Sequence, residues 1–249
     1  MKRAITFAFI LFGCGPAKEK EQASDSTAVR NSKDGQTVRS YYDDGKTKSE
    51  VIYKNGRKNG MARTYTEDGS LVLELPYVND KREGISKKYY TGGTVLAQTT
   101  EYKNDKMNGM QTKYRGNGKI MSEARYDNDL PCADLKEYLE NGSLKKKYPT
   151  IEIKVQDNVA ATGTYKLKVS LSERVRSVKF YRGQLPNSGC LTDDLYFLLI
   201  DPATKVGEIP YDVPPGESIK GDINIIAAFE TLMGNTAIVQ RKYHIAVSN

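Results

Sequence analysis

A single histidine, His244, is available for proton transfer or metal binding. It falls on a segment that reads as the last strand, where a packed or solvent-facing imidazole is the ordinary outcome. The spacings H-E-x-x-H, G-x-S-x-G, C-x-x-C and G-x-x-x-x-G-K-[ST] are absent. Asp193, Asp194 and Asp201 lie close in sequence but lack the alternating carboxylates and glycine of a calcium loop. Arg115-Gly116-Asn117-Gly118-Lys119 reads as a turn with no helix behind it to receive a phosphate. These residue types predict no enzyme, no cofactor and no metal site. Cys132 and Cys190 could form a disulfide, worth about 4 kcal/mol in the chain-entropy treatment. Two free, partly buried thiols fit the sequence equally well.

Non-covalent chemistry has a richer pattern. Glycines recur at Gly45, Gly69, Gly93, Gly118 and Gly142, in steps of 24, 24, 25 and 24 residues. A second series runs Gly60, Gly84, Gly109 and then Ala133, and tyrosines such as Tyr53, Tyr77, Tyr102 and Tyr126 keep the same period. A fixed period of this length marks a stacked repeat architecture, about four and a half units over residues 38–149. Asp44-Gly45, Asp68-Gly69, Gly92-Gly93, Asn117-Gly118 and Asn141-Gly142 are hairpin-turn dipeptides. A second, longer polar turn is expected at "YKNGRKNG" and its equivalents. Between the turns the character alternates: Leu71, Leu73, Leu75 and Tyr77 share one face, Val72 and Glu74 the other. The expected element is an antiparallel meander of roughly nine strands, with the third unit's extra residue absorbed by a β-bulge near "AQTTEY".

In-register stacking of such units aligns Met61, Arg63 and Tyr65 with Ile85, Lys87 and Tyr89, then with Met110, Thr112 and Tyr114, then with Asp134, Lys136 and Tyr138. Arg63, Lys87 and Lys136 with Tyr65, Tyr89, Tyr114 and Tyr138 form a candidate binding face for acidic headgroups, glycans or a protein. The same ladder could be structural. Its tyrosines would then pack on one another, its cations would snorkel at the edge, and Glu50, Glu74 and Glu123 would be cross-strand partners.

The units resemble MORN repeats, and more closely the MORN-variant repeats of the YwqK-like antitoxin family, whose phrase is Y-x-x-x-G, E-x-x-Y and N-G. Here the phrase stands as Tyr65…Gly69, Glu74…Tyr77 and Asn59-Gly60. The resemblance covers residues 38–149 and implies an antitoxin or immunity role. Ala133 departs from it as a capping unit would.

The chain opens with Met1-Lys2-Arg3, an apolar run over residues 4–12, and Gly13-Cys14. Two cations and a short apolar run read as an export signal, too short to span a bilayer. Leu11-Phe12-Gly13-Cys14 resembles the lipobox of bacterial lipoproteins, which implies cleavage after Gly13 and lipidation of Cys14. Gly15 in place of aspartate implies the outer membrane under the same likeness. A plain signal peptide or a buried strand are the alternatives. Residues 15–37 carry no aromatic residue and only Val29 as a β-branched aliphatic, so they read as a flexible tether. Its "KEKE", residues 18–21, is a solvated spacer or an export signal.

The formal net charge is +7, of which Lys2 and Arg3 supply two. The remaining surplus lies in the repeats, interleaved with acids, and forms no dense basic stripe of the kind nucleic acid requires. From Ile151 the period gives way to "IEIKV", "TYKLKVSL", "VRSVKFY", "LYFLLI", "INIIAAFET" and "AIVQRKYHIAV". Six or seven short strands between turn residues predict an immunoglobulin-like β-sandwich, with "LYFLLI" as one of them. The expected chain is all-β. It has a lipoprotein signal (1–13), an acylated cysteine with tether (14–37), MORN-variant hairpin repeats (38–149) and a sandwich (150–249). The expected function is a non-enzymatic envelope lipoprotein, lipid-anchored to the membrane, whose repeat sheet is a scaffold for a protein partner or ligand. An antitoxin or immunity protein, and a glycan- or lipid-headgroup-binding module, are the alternatives.

Overall fold

The computed structural model describes residues 35–249; the lipobox, Cys14 and nearly all of the tether lie outside the described residues. The repeats form β1 (Gln36–Tyr41), β2 (Thr47–Lys54), β3 (Arg57–Tyr65), β4 (Leu71–Val78), β5 (Lys81–Arg82), β6 (Gly84–Tyr89), β7 (Leu96–Lys103), β8 (Lys106–Tyr114), β9 (Ile120–Asp127), β10 (Leu130–Pro131) and β11 (Lys136–Glu137). They make one antiparallel sheet. Nine strands follow chain order from β1 to β10, with β5 attached to β4 and β11 to β9. Residues 36 and 37, read above as tether, already belong to β1.

Two kinds of turn alternate. In the first, the N–H groups of Gly45, Gly69, Gly93, Gly118 and Gly142 donate to the carbonyls of Tyr42, Thr66, Tyr90, Arg115 and Leu139. Each of these glycines has φ between +69° and +88°, a region open to glycine at little cost. Tyr90 and Val95 close the third such turn where Tyr42 and Lys46 close the first. The extra residue of the third unit therefore sits in this turn and not in a bulge near "AQTTEY". Gly92, also left-handed with φ +96°, accommodates it.

The second kind is tighter than the sequence suggested. Asn55-Gly56, Asn79-Asp80, Asn104-Asp105 and Asn128-Asp129 hold φ between +48° and +73° at both positions. These are two-residue turns with the I′ sign, which matches strand twist. Asn59-Gly60 lies beyond the turn, inside β3. The aspartates do more than turn the chain. Asp80 N–H donates to Lys58 O while its Oδ1 accepts from Lys58 N–H, at 2.9 and 2.7 Å. Asp105 clasps Arg82 in the same way, at 3.1 and 2.8 Å, and Asp129 clasps Met107 at 2.9 and 2.7 Å. Each turn is thus locked to the turn of the unit before it.

The sheet is one layer thick over its first units. Seven of the eight residues of β4 are half-buried, on both faces alike. Tyr77, Tyr102 and Tyr126 lie opposite Gly60, Gly84 and Gly109. Lys58 and Arg82 sit over the rings of Tyr77 and Tyr102, at 5.2 and 4.4 Å from the centroids.

The C-terminal part contains β12 (Ile151–Asn158), a single helical turn α1 (Val159–Thr162), β13 (Thr164–Leu171), β14 (Val178–Arg182), β15 (Tyr196–Leu198), β16 (Gly207–Asp212), β17 (Ser218–Glu230) and β18 (Thr236–Ser248). One sheet is ordered β12-β13-β16 and the other β15-β14-β17-β18, the three-on-four division of an immunoglobulin-like sandwich. Leu167 and Val169 from the first sheet and Phe180, Ile225 and Ala227 from the second share one core. "LYFLLI" supplies only the three residues of β15, and Leu199 after it points into solvent. Within "INIIAAFET" the five residues from Ile225 to Phe229 are apolar without a break because this stretch of β17 is buried on both sides. Ile225, Ala227 and Phe229 face the sandwich core. Ile226 and Ala228 join Ile238, Leu185 and Leu191 in a second cluster, against which Leu130 of the repeats packs.

The aspartate clasps make a checkable claim. Asp105→Ala removes a charged acceptor from Arg82 N–H and leaves alanine in a left-handed turn, so it should cost about 1–2 kcal/mol. Asp43→Ala, in a turn without a clasp, should leave the urea midpoint where it was. Equal midpoints for the two variants would show that the clasps carry no stability.

Candidate functional site

The register places one residue of each main strand in a single row across one face: Arg39, Glu50, Arg63, Glu74, Lys87, Thr99, Thr112, Glu123 and Lys136. Directly opposed side chains in a sheet interact most strongly, and here the charges alternate over the first five positions. Arg63 bridges two glutamates, with Nε 3.0 Å from Glu74 and Nη1 3.3 Å from Glu50. Arg39 adds a second cation to Glu50 at 3.3 Å, and Lys136 stands 4.0 Å from Glu123.

The tyrosines complete this row. The hydroxyls of Tyr65, Tyr89 and Tyr138 donate to Glu50, Glu74 and Glu123, at 3.0, 2.9 and 2.7 Å. Thr99 stands where the other units carry glutamate, so Tyr114 faces no such carboxylate. The rings do not pack on one another as the sequence suggested. The ring pairs found among the described residues, Tyr165–Tyr211 and Tyr181–Phe197, belong to the sandwich. Successive tyrosines lie two strands apart, too far to stack, and Glu74 or Glu123 stands between them except between Tyr89 and Tyr114, where the place is taken by Thr99. Burial raises the Glu74 pKa, but hydrogen bonds from Tyr89 and Arg63 and the charges of Arg63 and Lys87 outweigh it and hold the carboxyl below its usual range. Burial first, then Glu74, pushes the Tyr89 hydroxyl up. On the far side of the charged row lie Met61, Pro76, Ile85 and Met110, of which Ile85 is half exposed. The face therefore carries a tyrosine row, a largely self-neutralised charge row and a mixed row in which Glu101 stands opposite Ile85 and Arg125 opposite Met110.

Four consecutive segments, residues 37–55, 58–79, 82–104 and 107–128, match the MORN repeat variant. The sheet is built of MORN-variant repeats. The breaks between matches fall at the two-residue turns, so each unit is one hairpin clasped to the next. No curated protein matches the chain. The crystal structure of the extracellular domain of BT4673 from B. thetaiotaomicron is similar at 10% identity and a TM-score of 0.23, over 84% of this chain and 30% of that one. The chain thus spans less than a third of that protein's length.

Cys132 and Cys190 form a disulfide that links the last repeat to the loop between β14 and β15. That loop continues the repeat sheet, since Leu191 N–H donates to Pro131 O and Ala133 N–H to Gly189 O. Arg125 donates to Ser188 O from the same edge. On the opposite face from the tyrosines, Lys113, Ser122 and Glu137 share one row, and the β17–β18 hairpin tip lies on it. Lys113 Nζ donates to Gly234 O at 2.9 Å. Glu137 is fully buried. It accepts from Thr231 Oγ1 at 2.5 Å, Asn235 Nδ2 at 2.8 Å and Lys145 Nζ at 3.0 Å. Nothing in "LKEYLEN" separates this glutamate from an exposed one; the signal lies 94 residues away, in Thr231. Burial works to raise the Glu137 pKa, but the three hydrogen bonds and the Lys145 charge together hold it below the ordinary range.

Two outcomes follow from this geometry. Arg63→Glu with Lys87→Glu adds two carboxylates beside Glu50 and Glu74, making four in a row, so the double variant should melt well below the wild type; an unchanged circular-dichroism melt would remove the row from the account of stability. Glu137 gives a pH dependence. Folding lowers its pKa, so its contribution is complete above the unfolded value and is lost as pH falls through the lowered folded value. Wild type should lose stability to urea on acidification through and below the carboxylate range more steeply than Glu137→Gln, and parallel profiles would contradict this.

Proposed function

We propose that this chain is a non-enzymatic, lipid-anchored protein of the cell envelope whose repeat sheet is a rigid scaffold for a protein partner. The carrying observation is the asymmetry of the sheet. One face holds the sandwich at its C-terminal end, while the other keeps its tyrosine, charge and mixed rows in register, with the sandwich reaching it only at Arg125, which donates to Ser188 O. Ile85 and Met110 are exposed there without a folding role, next to hydroxyls and charges already fixed in place. Preordered side chains lose little entropy on binding. The Cys132–Cys190 disulfide supports export, because such bonds persist in oxidising compartments. Leu11-Phe12-Gly13-Cys14 supports the anchor, with the outer membrane as its place. An exported chain does not fit an antitoxin that must meet its target in the cytosol.

Two experiments test the reading. Cys14→Ser should abolish palmitate labelling and leave the precursor uncleaved at Gly13; an unlabelled, soluble wild type would end the anchor proposal. For the scaffold, Ile85→Lys faces Glu101, and Met110→Gln adds a polar group of similar length without a charge to compete for Arg125, which Asp134 already pairs, so the fold should hold. The pair should lose cross-linked partners seen on intact cells with wild type. An unchanged cross-linking pattern in a variant that melts normally would exclude this face.

A further inference from the structure

A cleft of about 280 Å³ opens beside the junction. Its walls are the segment 145–149 leaving the repeats, the loop 173–176 between β13 and β14, and the tip of the β17–β18 hairpin. Four cations line it. Two are committed to the fold: Lys145 to Glu137 at 3.0 Å, and Arg176 to Glu230 at 3.0 Å. The other two, Lys147 and Arg174, have no acidic partner among the described residues, and Glu173 at the same rim pairs with neither. The cleft is also apolar on one side, where Val175 and the buried Phe229 form the wall. At its mouth Leu232 stands wholly in water. A hairpin tip has no need of a leucine there, since polar residues close such turns at no solvation cost. Unpaired cations beside an unshielded aliphatic side chain are two halves of one recognition surface.

The geometry points to a binding site for an alkylated phosphate. The phosphate would be held by the Arg174 guanidinium, whose fork suits phosphate oxygens, and by the Lys147 ammonium. The alkyl chain would lie over Val175 under Leu232. Such a group occurs in a phospholipid headgroup and in a soluble alkyl phosphate; the site's chemistry is common to both. The site lies off the tyrosine face and does not depend on the scaffold reading.

Calorimetry on the chain from Gly15 onward, which carries neither the acylated cysteine nor the apolar run of residues 4–12, tests the site with hexyl phosphate and inorganic phosphate. Hexyl phosphate should bind more tightly. Lys147→Ala with Arg174→Ala should weaken it about tenfold or more, the scale of losing one or two charge-assisted hydrogen bonds. Leu232→Ser should weaken hexyl phosphate while leaving inorganic phosphate unchanged. Neither variant removes a folding contact, so both should melt with the parent. Flotation with phosphatidylcholine vesicles doped with phosphatidylglycerol separates the sources. Flotation lost in the double variant assigns a bilayer lipid, and calorimetric binding without flotation assigns a soluble one. Equal affinity of hexyl and inorganic phosphate, or binding that survives the double variant, overturns the site.

Discussion

A β-sheet one layer thick has no second layer against which to bury a face, and that constraint governs the repeats. Without a core, register must be fixed within the plane of the sheet. A slip of one residue would exchange the two faces, and here neither face is apolar enough to prevent it. The row from Arg39 to Lys136 supplies the missing restraint. Any slip brings like charges together or separates Arg63 from both of its glutamates. The hydroxyls of Tyr65, Tyr89 and Tyr138 add a directional requirement at each step. Single exposed ion pairs contribute little. At Glu50, Arg63 and Glu74 the row is a linked network of half-buried groups, and each tyrosine bond depends on the same register as its neighbours. The aspartate clasps repeat the device along the turn edge.

A structure that relies on its neighbours must be closed where the neighbours end. Past β11 one last short hairpin turns at Leu139–Gly142 and brings Leu144 and Lys145 back against Tyr138 and Glu137, and beyond it the sandwich takes the place of the next unit. The loop before β15 pairs with the sheet edge through Pro131 and Ala133, as a next strand would, and so leaves no open edge there. Ala133 stands where earlier units have glycine, since here the backbone meets Gly189 and not another unit. Beneath it Glu137 accepts from Thr231, Asn235 and Lys145. A buried carboxylate with three donors is costly to form and more costly to leave half-satisfied. It therefore specifies one seating of the hairpin tip on the sheet. Leu130 packing with Leu185, Leu191 and Ile226 adds the non-directional attraction.

Much of this was legible in the sequence. The glycine period announced the hairpins, because an Asp-Gly or Asn-Gly turn needs a left-handed residue and leaves a visible mark. The ladder residues followed by counting, and Glu50, Glu74 and Glu123 were readable as their cross-strand partners. The Asn-Asp turns escaped because aspartate can adopt the left-handed conformation without advertising it as glycine does, while Asn59-Gly60 drew attention to the wrong place. Tyrosine-to-glutamate bonding was missed because spacing gives rows, and only the register shows that a carboxylate stands between successive rings. "INIIAAFET" was legible as a strand but not as one buried on both sides, because what covers its second side is set by residues 30 or more positions away, at Leu185, Leu191 and Leu130.

The two parts behave as one body because their contacts are of different kinds and fail under different conditions. The disulfide resists acid and salt, the Glu137 cluster resists reduction, and the leucine cluster resists both. Loss of any one leaves two others to hold the hairpin tip on its row. That redundancy sits at the sheet's C-terminal end, away from β1. A sheet fastened at one end in three ways needs only its charge row and its aspartate clasps to carry the register outward from the junction to β1.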